Sequence, residues 1–194
     1  LLKYSIIENA SFSTSIPGKE ITASAGFNTI GDTDKDGNSA SKIDVGQGFA
    51  ATYGIELIDG RNFSSEFSGE EDKLLVSESA LKVLKIAFPK DAINKRVVYC
   101  GNEYTVVGVF KDYNHLFFEK PYEPIILNYT ASPCGYFTIK INDNHKIQDA
   151  LAITQKELAK VFPDSPFEYE YASAVYDKQY DEIGKFNLFM KALS

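Results

Sequence analysis

Apolar and polar positions alternate along this chain in short runs broken by glycine, proline and aspartate. Ser11-Phe12-Ser13-Thr14-Ser15-Ile16 alternates and is cut off by Pro17-Gly18, which predicts a strand over 11–16. Residues 21–30 and 41–45 predict two more strands, joined by the polar turn Asp32-Thr33-Asp34-Lys35-Asp36-Gly37-Asn38. A short helix over 49–53 leads to a strand at 55–58 and a turn at Asp59-Gly60. Leu74-Leu75-Val76 predicts a short strand, with Ser77 as the N-cap of the following helix. That helix sets Ala80, Leu81, Leu84 and Phe88 on one face and stops at Pro89. Residues 96–99 and 104–110, either side of Cys100-Gly101-Asn102, predict a hairpin. A strand at 125–127 precedes a β-α-β unit. In that unit 136–141 is a strand and Asp143 or Asn144 caps a helix with Ile147, Ala150, Leu151, Leu158 and Val161 on one face. Its last strand is 167–171, where Phe167, Tyr169 and Tyr171 alternate with Glu168 and Glu170. Strands and helices mix without a strict βαβα order, so the pattern predicts an α+β fold, not a doubly wound sheet.

The chain's ends add an expectation of their own. It starts Leu1-Leu2-Lys3, with neither an initiator methionine nor a signal-type segment, and so reads as a piece of a longer protein. Tyr176, Tyr180, Ile183, Phe186, Met190 and Leu193 recur at helical spacing in a stretch that grows more apolar toward its end. That stretch reads either as an amphipathic helix packed on the domain or as the foot of a membrane span.

Composition narrows the function classes. A chain of 194 residues holds one ordinary core or two small lobes. Twenty Lys and Arg against 27 Asp and Glu leave a net charge of −7. That lacks the basic footprint of a nucleic-acid binder or of a module docking on anionic lipid. No run of 18 apolar residues is present, so no segment reads as a complete bilayer span. Cys100 and Cys134 form no C-x-x-C. They read equally as a disulfide or as two thiols.

Three patterns invite a chemical reading. Asp32, Asp34 and Asp36 followed by Gly37 match the opening half of a calcium-binding EF-hand loop, but position twelve is Ile43 where a bidentate glutamate belongs. The loop reads as an Asp-rich turn, with a weak calcium site as the alternative. Gly46-Gln47-Gly48-Phe49-Ala50-Ala51 fits the dinucleotide fingerprint G-x-G-x-x-A. Its helix meets Gly54 after a turn and a half, too soon for a βαβ unit, so no cofactor is expected. The only histidines are His115 and His145, and neither lies in a zinc motif. No nucleophile elbow or Walker A sequence is present. Asp112 and His115 with a nearby carboxylate would be the raw material of a hydrolase. The acidic cluster Glu66, Glu70, Glu71, Asp72 reads as a solvated loop.

One block is distinctive: Thr52-Tyr53-Gly54-Ile55-Glu56-Leu57-Ile58-Asp59-Gly60-Arg61-Asn62-Phe63-Ser64, then Leu75-Val76-Ser77-Glu78-Ser79-Ala80, then Val106-Val107-Gly108-Val109-Phe110-Lys111-Asp112-Tyr113. In this order the phrases resemble the MacB-like periplasmic core domain of FtsX-type ABC-transporter permeases, particularly the Bacteroidetes kind. Ile16-Pro17-Gly18 resembles the end of that family's first strand. Tyr176-Asp177-Lys178-Gln179-Tyr180 with Lys185-Phe186 resembles its approach to the second membrane span. Ser77 stands where the family commonly has asparagine, and Phe110 where it commonly has valine.

The resemblance implies a porter-like lobe of mixed sheet and helices from residues 1–46 and 122–180, an inserted α/β lobe from 47–121, and the start of a stalk or membrane helix at 181–194. It implies a non-catalytic domain on the periplasmic face of the bacterial inner membrane, without cofactor or resident metal. A cytoplasmic ABC ATPase subunit would hydrolyse ATP, and the domain would transmit the motion to a second permease copy, a periplasmic partner protein or a peptide substrate. Export of peptides or antimicrobials and handling of lipoproteins are the tasks it implies. The residues themselves assign structural work to Gly54, Gly60, Arg61, Phe63 and Asp112. Gly54 would end the short helix and Gly60 make a tight turn, while Phe63 would fold back as a plug and Asp112 pair with Arg61. The alternative is a free-standing secreted or periplasmic α+β ligand-binding module.

Overall fold

The computed structural model describes residues 1–32, 38–116, 121–132, 135–142, 147–164 and 166–175. Nine strands lie among them: β1 (Ile7–Ser13), β2 (Ser24–Thr29), β3 (Ser39–Val45), β4 (Leu57–Gly60), β5 (Lys73–Ser77), β6 (Arg96–Tyr99), β7 (Asn102–Phe110), β8 (Ile125–Tyr129) and β9 (Tyr136–Ile141). Three α-helices accompany them, α1 (Phe49–Tyr53), α2 (Glu78–Val83) and α3 (Ile147–Leu158), so the fold is α+β.

Six strands close a ring. Going round, β5 pairs with β7, β7 with β6, β6 with β2, β2 with β3, β3 with β8, and β8 with β5 again. The β5–β7 and β3–β8 ladders are parallel and the rest antiparallel. Closure leaves the ring without edges. On the outer side of β7, β6 occupies Asn102 to Thr105 and β4 continues at Gly108 to Phe110. Between them, Val106 N–H donates to the Lys95 carbonyl, and Arg61 N–H donates to the Val107 carbonyl.

Alternation explains why the ring is dry on both faces. Phe27, Leu74, Val76, Val97, Val106, Val109 and Ile126 fill the inside at zero exposure, with Ala80, Leu81 and Leu84 of the α2 region stacked on them. Their neighbours Ile43, Val45, Leu75, Phe110, Ile125 and Leu127 point outward, where Phe49 of α1 and Phe63 cover them. A bulge in β7 makes this consistent: Leu74 lies opposite Val106 but Leu75 opposite Gly108, so Val107 is the extra residue. The inserted position resets the phase, so both Val106 and Val109 face inward.

Apart from the ring, β1 and β9 form an antiparallel ribbon with α3 on it. Ile6, Ile7 and Ala150 make its small core, flanked by half-buried Ile139, Ile141 and Ile153. The strands of the ring come from both segments expected as separate lobes, since β2 shares a ladder with β6 and β8 with β5. Those ladders run across the boundaries at 46/47 and 121/122. The ribbon and α3 lie wholly within the segments 1–46 and 122–180.

Three local expectations are corrected. Residues 167–171 have no ladder partner among the described residues; instead the Phe167, Tyr169 and Tyr171 rings meet tilted and edge-on at 6.0 and 5.7 Å, the two tyrosines exposed. Phe88 is not on the buried face of α2. Lys85 takes a left-handed φ of 57°, the helix ends before it, and Phe88 sits 60% exposed with the Lys90 ammonium against its ring. On α3 the buried stripe runs through Ala150 and Thr154, while Ile147 and Val161 face solvent. The Asp143/Asn144 cap, Cys134, His145 and the stretch from Tyr176 onward lie outside the described residues.

Candidate functional site: a joint between the ring, the ribbon and the C-terminal segment

The motif residues gather along one seam. Gly60 of β4 lies directly opposite Gly108 of β7. Gly60 has a φ of 77°, and a side chain there would meet the Val107 carbonyl and come within 2.7 Å of Ile93 Cδ1. A side chain at Gly108 would lie 2.5 Å from the Arg61 carbonyl and 2.8 Å from Leu75 Cδ2. Two facing glycines thus let β4 lie close on β7 just where the bulge bends it. Gly54 closes α1 with φ 67° and has open space around it, so its constraint is conformational, not steric.

The Arg61 side chain turns away from Asp112. Its Nη1 donates to Glu70 Oε1 at 2.6 Å and to the Asn62 carbonyl at 3.0 Å, and its guanidinium covers the Phe67 ring at 4.1 Å. Glu70 is 2% exposed, unlike the solvated loop residue the acidic run suggests. Its Oε2 is buried with no hydrogen-bond partner among the described residues. A carboxylate so placed depends on Arg61 for its charge compensation. Phe63 packs into the outer core with its ring 5.6 Å from that of Tyr129.

Asp112 instead caps α2. Its Oδ1 accepts from Ser79 N–H at 2.9 Å and its Oδ2 from the Ser79 hydroxyl at 2.6 Å, while Glu78 Oε2 accepts the Asp112 N–H at 3.3 Å. Ser77 Oγ accepts from Ala80 N–H and, across the seam, from Ile125 N–H of β8. The arrangement satisfies orphan donors of the first helical turn and welds α2 to the exit of β7 and the start of β8. Ser79 was not singled out by sequence; a serine two residues past an N-cap, with an aspartate ending a later strand, was the available signal.

Beyond Asp112 the chain reaches His115, 5% exposed. Its Nε2 lies 3.1 Å from Ser15 Oγ and its Nδ1 3.1 Å from Tyr113 Oη. The Ser15 hydroxyl also faces the carbonyls of Lys19 and Glu20, both at 3.2 Å. The Ser15 proton is therefore directed into a carbonyl, Nε2 carries the ring proton, and Tyr113 donates to Nδ1, a tautomer assigned from the network. A serine whose proton is given to the backbone is not an activated nucleophile. Asp112, turned to Ser79, does not orient His115, so the hydrolase grouping is not assembled.

Two further contacts make this a joint. The His115 carbonyl accepts Gly18 N–H at 2.7 Å. Gly18, with φ 91°, has Val175 Cγ1 2.6 Å from where a Cβ would be, so its missing side chain lets the C-terminal segment close on the Pro17-Gly18 corner. Lys19 pairs with Glu170 at 3.6 Å on the same segment. On the other side of the ribbon, Gly46 sits beneath the Phe12 ring and Gly48 begins α1 with φ 84° beside the Ala10 carbonyl. β1 thus lies directly against the turn before α1.

Asp34 and Asp36 of the calcium-like loop lie outside the described residues, while Asp32 N–H bonds the Thr29 carbonyl at the end of β2. Among the described residues, no group of three or more His, Cys, Asp or Glu is placed to hold a metal ion. Cys100 is exposed in the β6–β7 turn with φ 50°. No helix among the described residues is long and apolar enough to cross a membrane.

No protein-family model matches the sequence, and no curated protein matches it. Solved structures do. The periplasmic region of MacB from Actinobacillus actinomycetemcomitans is similar over 93% of this chain and 78% of its own, with a TM-score of 0.63 at 18% identity. The extracellular domain of the noncanonic ABC-type transporter YknZ from Gram-positive bacteria is similar over 82% of this chain and 76% of its own, with TM-score 0.53 and 14% identity. A domain of a protein described as a permease from Porphyromonas gingivalis is similar over 90% of this chain and 83% of its own, with TM-score 0.52 and 17% identity. The ring, the ribbon and their joint together make the fold of the MacB-like periplasmic domain.

Proposed function

We propose that this chain is the extracytoplasmic domain of an ABC-transporter permease and that it works mechanically, without chemistry of its own. The observation that carries the reading is the likeness to the MacB periplasmic region across 93% of the chain. It is supported by motif residues that close backbone seams and cap a helix instead of converging on a ligand. In this reading the ribbon with α3 is the porter-like lobe and the ring is the stiff body inserted in it. The segment after Val175 leads toward the membrane. An ATPase subunit on the cytoplasmic side hydrolyses ATP, membrane helices carry the closure outward, and the domain moves against a second permease copy, a periplasmic partner protein or a peptide substrate. Such coupling requires two arrangements whose populations ATP binding changes.

Cys100 supplies the test, being exposed. In spheroplasts of the source cell, a membrane-impermeant maleimide is expected to label the native gene product, and Cys100→Ser is expected to reduce that labelling. The detergent-solubilised protein is expected to bring an ABC ATPase with it on purification. Labelling only after lysis would place the domain in the cytoplasm and overturn the reading. Recovery of the protein in the soluble periplasmic fraction without an ATPase would favour the free-standing binding module.

A further inference from the structure

We infer that Asp59-Gly60 is a site of spontaneous backbone rearrangement, where the Gly60 nitrogen closes on the Asp59 carboxyl and converts the aspartate to isoaspartate, loosening β4 from the ring. The inference does not depend on the transporter reading, because every reacting group belongs to this chain.

Four observations meet at this dipeptide. A bulge between Leu57 and Asp59 breaks the β4–β7 register just before it. Arg61 N–H donates to the Val107 carbonyl, so Gly60 and Gly108 form the adjacent pair that exchanges no ladder bonds, and Gly60 N–H points away from β7. That N–H donates instead to Asp59 Oδ1 at 2.7 Å. Gly60 is exposed, has a φ of 77° and carries no side chain to shield its nitrogen. The nitrogen and the carboxyl group are thus held in contact, and intramolecular attack is pre-organised once reacting atoms lie about 3–3.5 Å apart.

The step balances without a co-reactant. With the carboxyl group neutral, Gly60 N bonds to Asp59 Cγ, the amide hydrogen and the carboxyl hydroxyl leave as water, and a five-membered succinimide forms. Water then opens the ring. Addition at Cγ restores aspartate. Addition at the Asp59 main-chain carbonyl carbon leaves the chain running through Cβ and Cγ, which is isoaspartate with a free α-carboxylate. Nothing is oxidised or reduced. The extra methylene enters the backbone where there is no slack: a Cβ at Gly60 would already meet the Val107 carbonyl and Ile93 Cδ1, and one at Gly108 the Arg61 carbonyl. The Arg61–Val107 bond then loses its register, while the six strands of the ring remain closed without β4.

The experiment ages this chain for several weeks at neutral pH, folded in buffer and, in parallel, unfolded in guanidinium chloride. Asp36→Glu removes the chain's other Asp-Gly pair from the background. The tryptic peptide 43–61 is then fragmented by electron transfer, which distinguishes isoaspartate from aspartate. Asp44, followed by Val45 and paired within β3, is the control in the same peptide. The expected result is isoaspartate at Asp59 and not at Asp44, formed at least as fast in the folded chain as in the unfolded one. In the isolated isoaspartate form the Arg61 amide should exchange about tenfold faster than in fresh protein, with β5 amides unchanged. Asp59→Glu, which could cyclise only through a six-membered ring, should age without either change. Slower conversion of Asp59 in the folded chain than in the unfolded one would mean that the fold protects the pair, and the inference fails. Isoaspartate at Asp59 with unaltered Arg61 exchange would equally overturn it, because β4 would then keep its seat.

Discussion

The ring and the ribbon are built from the same alternating strands and end up mechanically different. Around the ring each strand is hydrogen-bonded on both sides, and seven of its interior side chains are wholly excluded from water. In the ribbon two strands share one ladder, the core is three buried residues, and Tyr136 and Phe137 of β9 stand in solvent. A two-stranded ribbon is marginal alone and borrows its order from what it packs on. Here it borrows from α3 and from the glycines at 46 and 48 that admit Phe12 and Ala10 to the ring's flank. A body that must pass on a displacement needs both kinds of region, one that keeps its shape and one whose attachment can change.

The largest effect expected is at the seam that fixes β4 on the flank of the ring. Gly60 and Gly54 share a left-handed backbone, with φ 77° and 67°, but only Gly60 is crowded. Gly60→Val combines a strained β-branched conformation with overpacking against β7 and should cost about 4 kcal/mol in urea unfolding. Gly54→Ala meets only the conformational penalty and should cost about 1 kcal/mol. Equal costs at the two sites would show that the close approach of β4 to β7 constrains nothing.

Next come paired core truncations. Ile126 has zero exposure inside the ring and Ile139 is half-buried in the ribbon. Ile126→Ala should cost about 4 kcal/mol, because closed ladders cannot collapse on the cavity, and Ile139→Ala about 1 kcal/mol, because the ribbon can. Hydrogen exchange gives the matching readout, with β1 and β9 amides exchanging through an opening that leaves β5, β7 and β8 protected. Equal protection across both regions would mean that they open as one unit, and the contrast drawn above would fail.

Local order was legible in the residues; closure was not. The α1 boundaries, the Ser77 cap and the Cys100-Gly101 hairpin follow from patterns a few residues long, where propensity and turn chemistry decide. The pairing of β1 with β9 joins residues 7 and 141, and that of β2 with β6 joins 27 and 99; alternation says which face is apolar but not which strand it meets. The misread segment 167–171 has a perfect strand period but no ladder among the described residues, and its rings meet each other tilted and edge-on. At the seam the glycines could be picked out as special, but the Gly60–Gly108 register could not. Charge was the poorest guide: the sequence pointed Arg61 to Asp112, whereas its partner is Glu70, whose burial is invisible in an acidic run.

The smallest effect separates a fastening of the ring from one of the ribbon. Asp112 ties α2 to β7 through two oxygens on Ser79, both residues at least partly buried. Glu8 and Lys140 tie β1 to β9 at 2.7 Å with both side chains more than 40% exposed. Asp112→Ala should cost about 2 kcal/mol and Ser79→Ala about 1 kcal/mol, the larger loss falling on Asp112 because the Ser79 N–H is stranded with it. The double-mutant cycle should return a coupling of about 1 kcal/mol. Across Glu8 and Lys140 the same cycle should return about 0.3 kcal/mol and vanish in high salt, since water and ions screen an exposed pair. A salt-sensitive coupling between Asp112 and Ser79 would be inconsistent with a cap made by a carboxylate on a neutral hydroxyl and an amide. It would also remove the reason for regarding α2 as part of the stiff body.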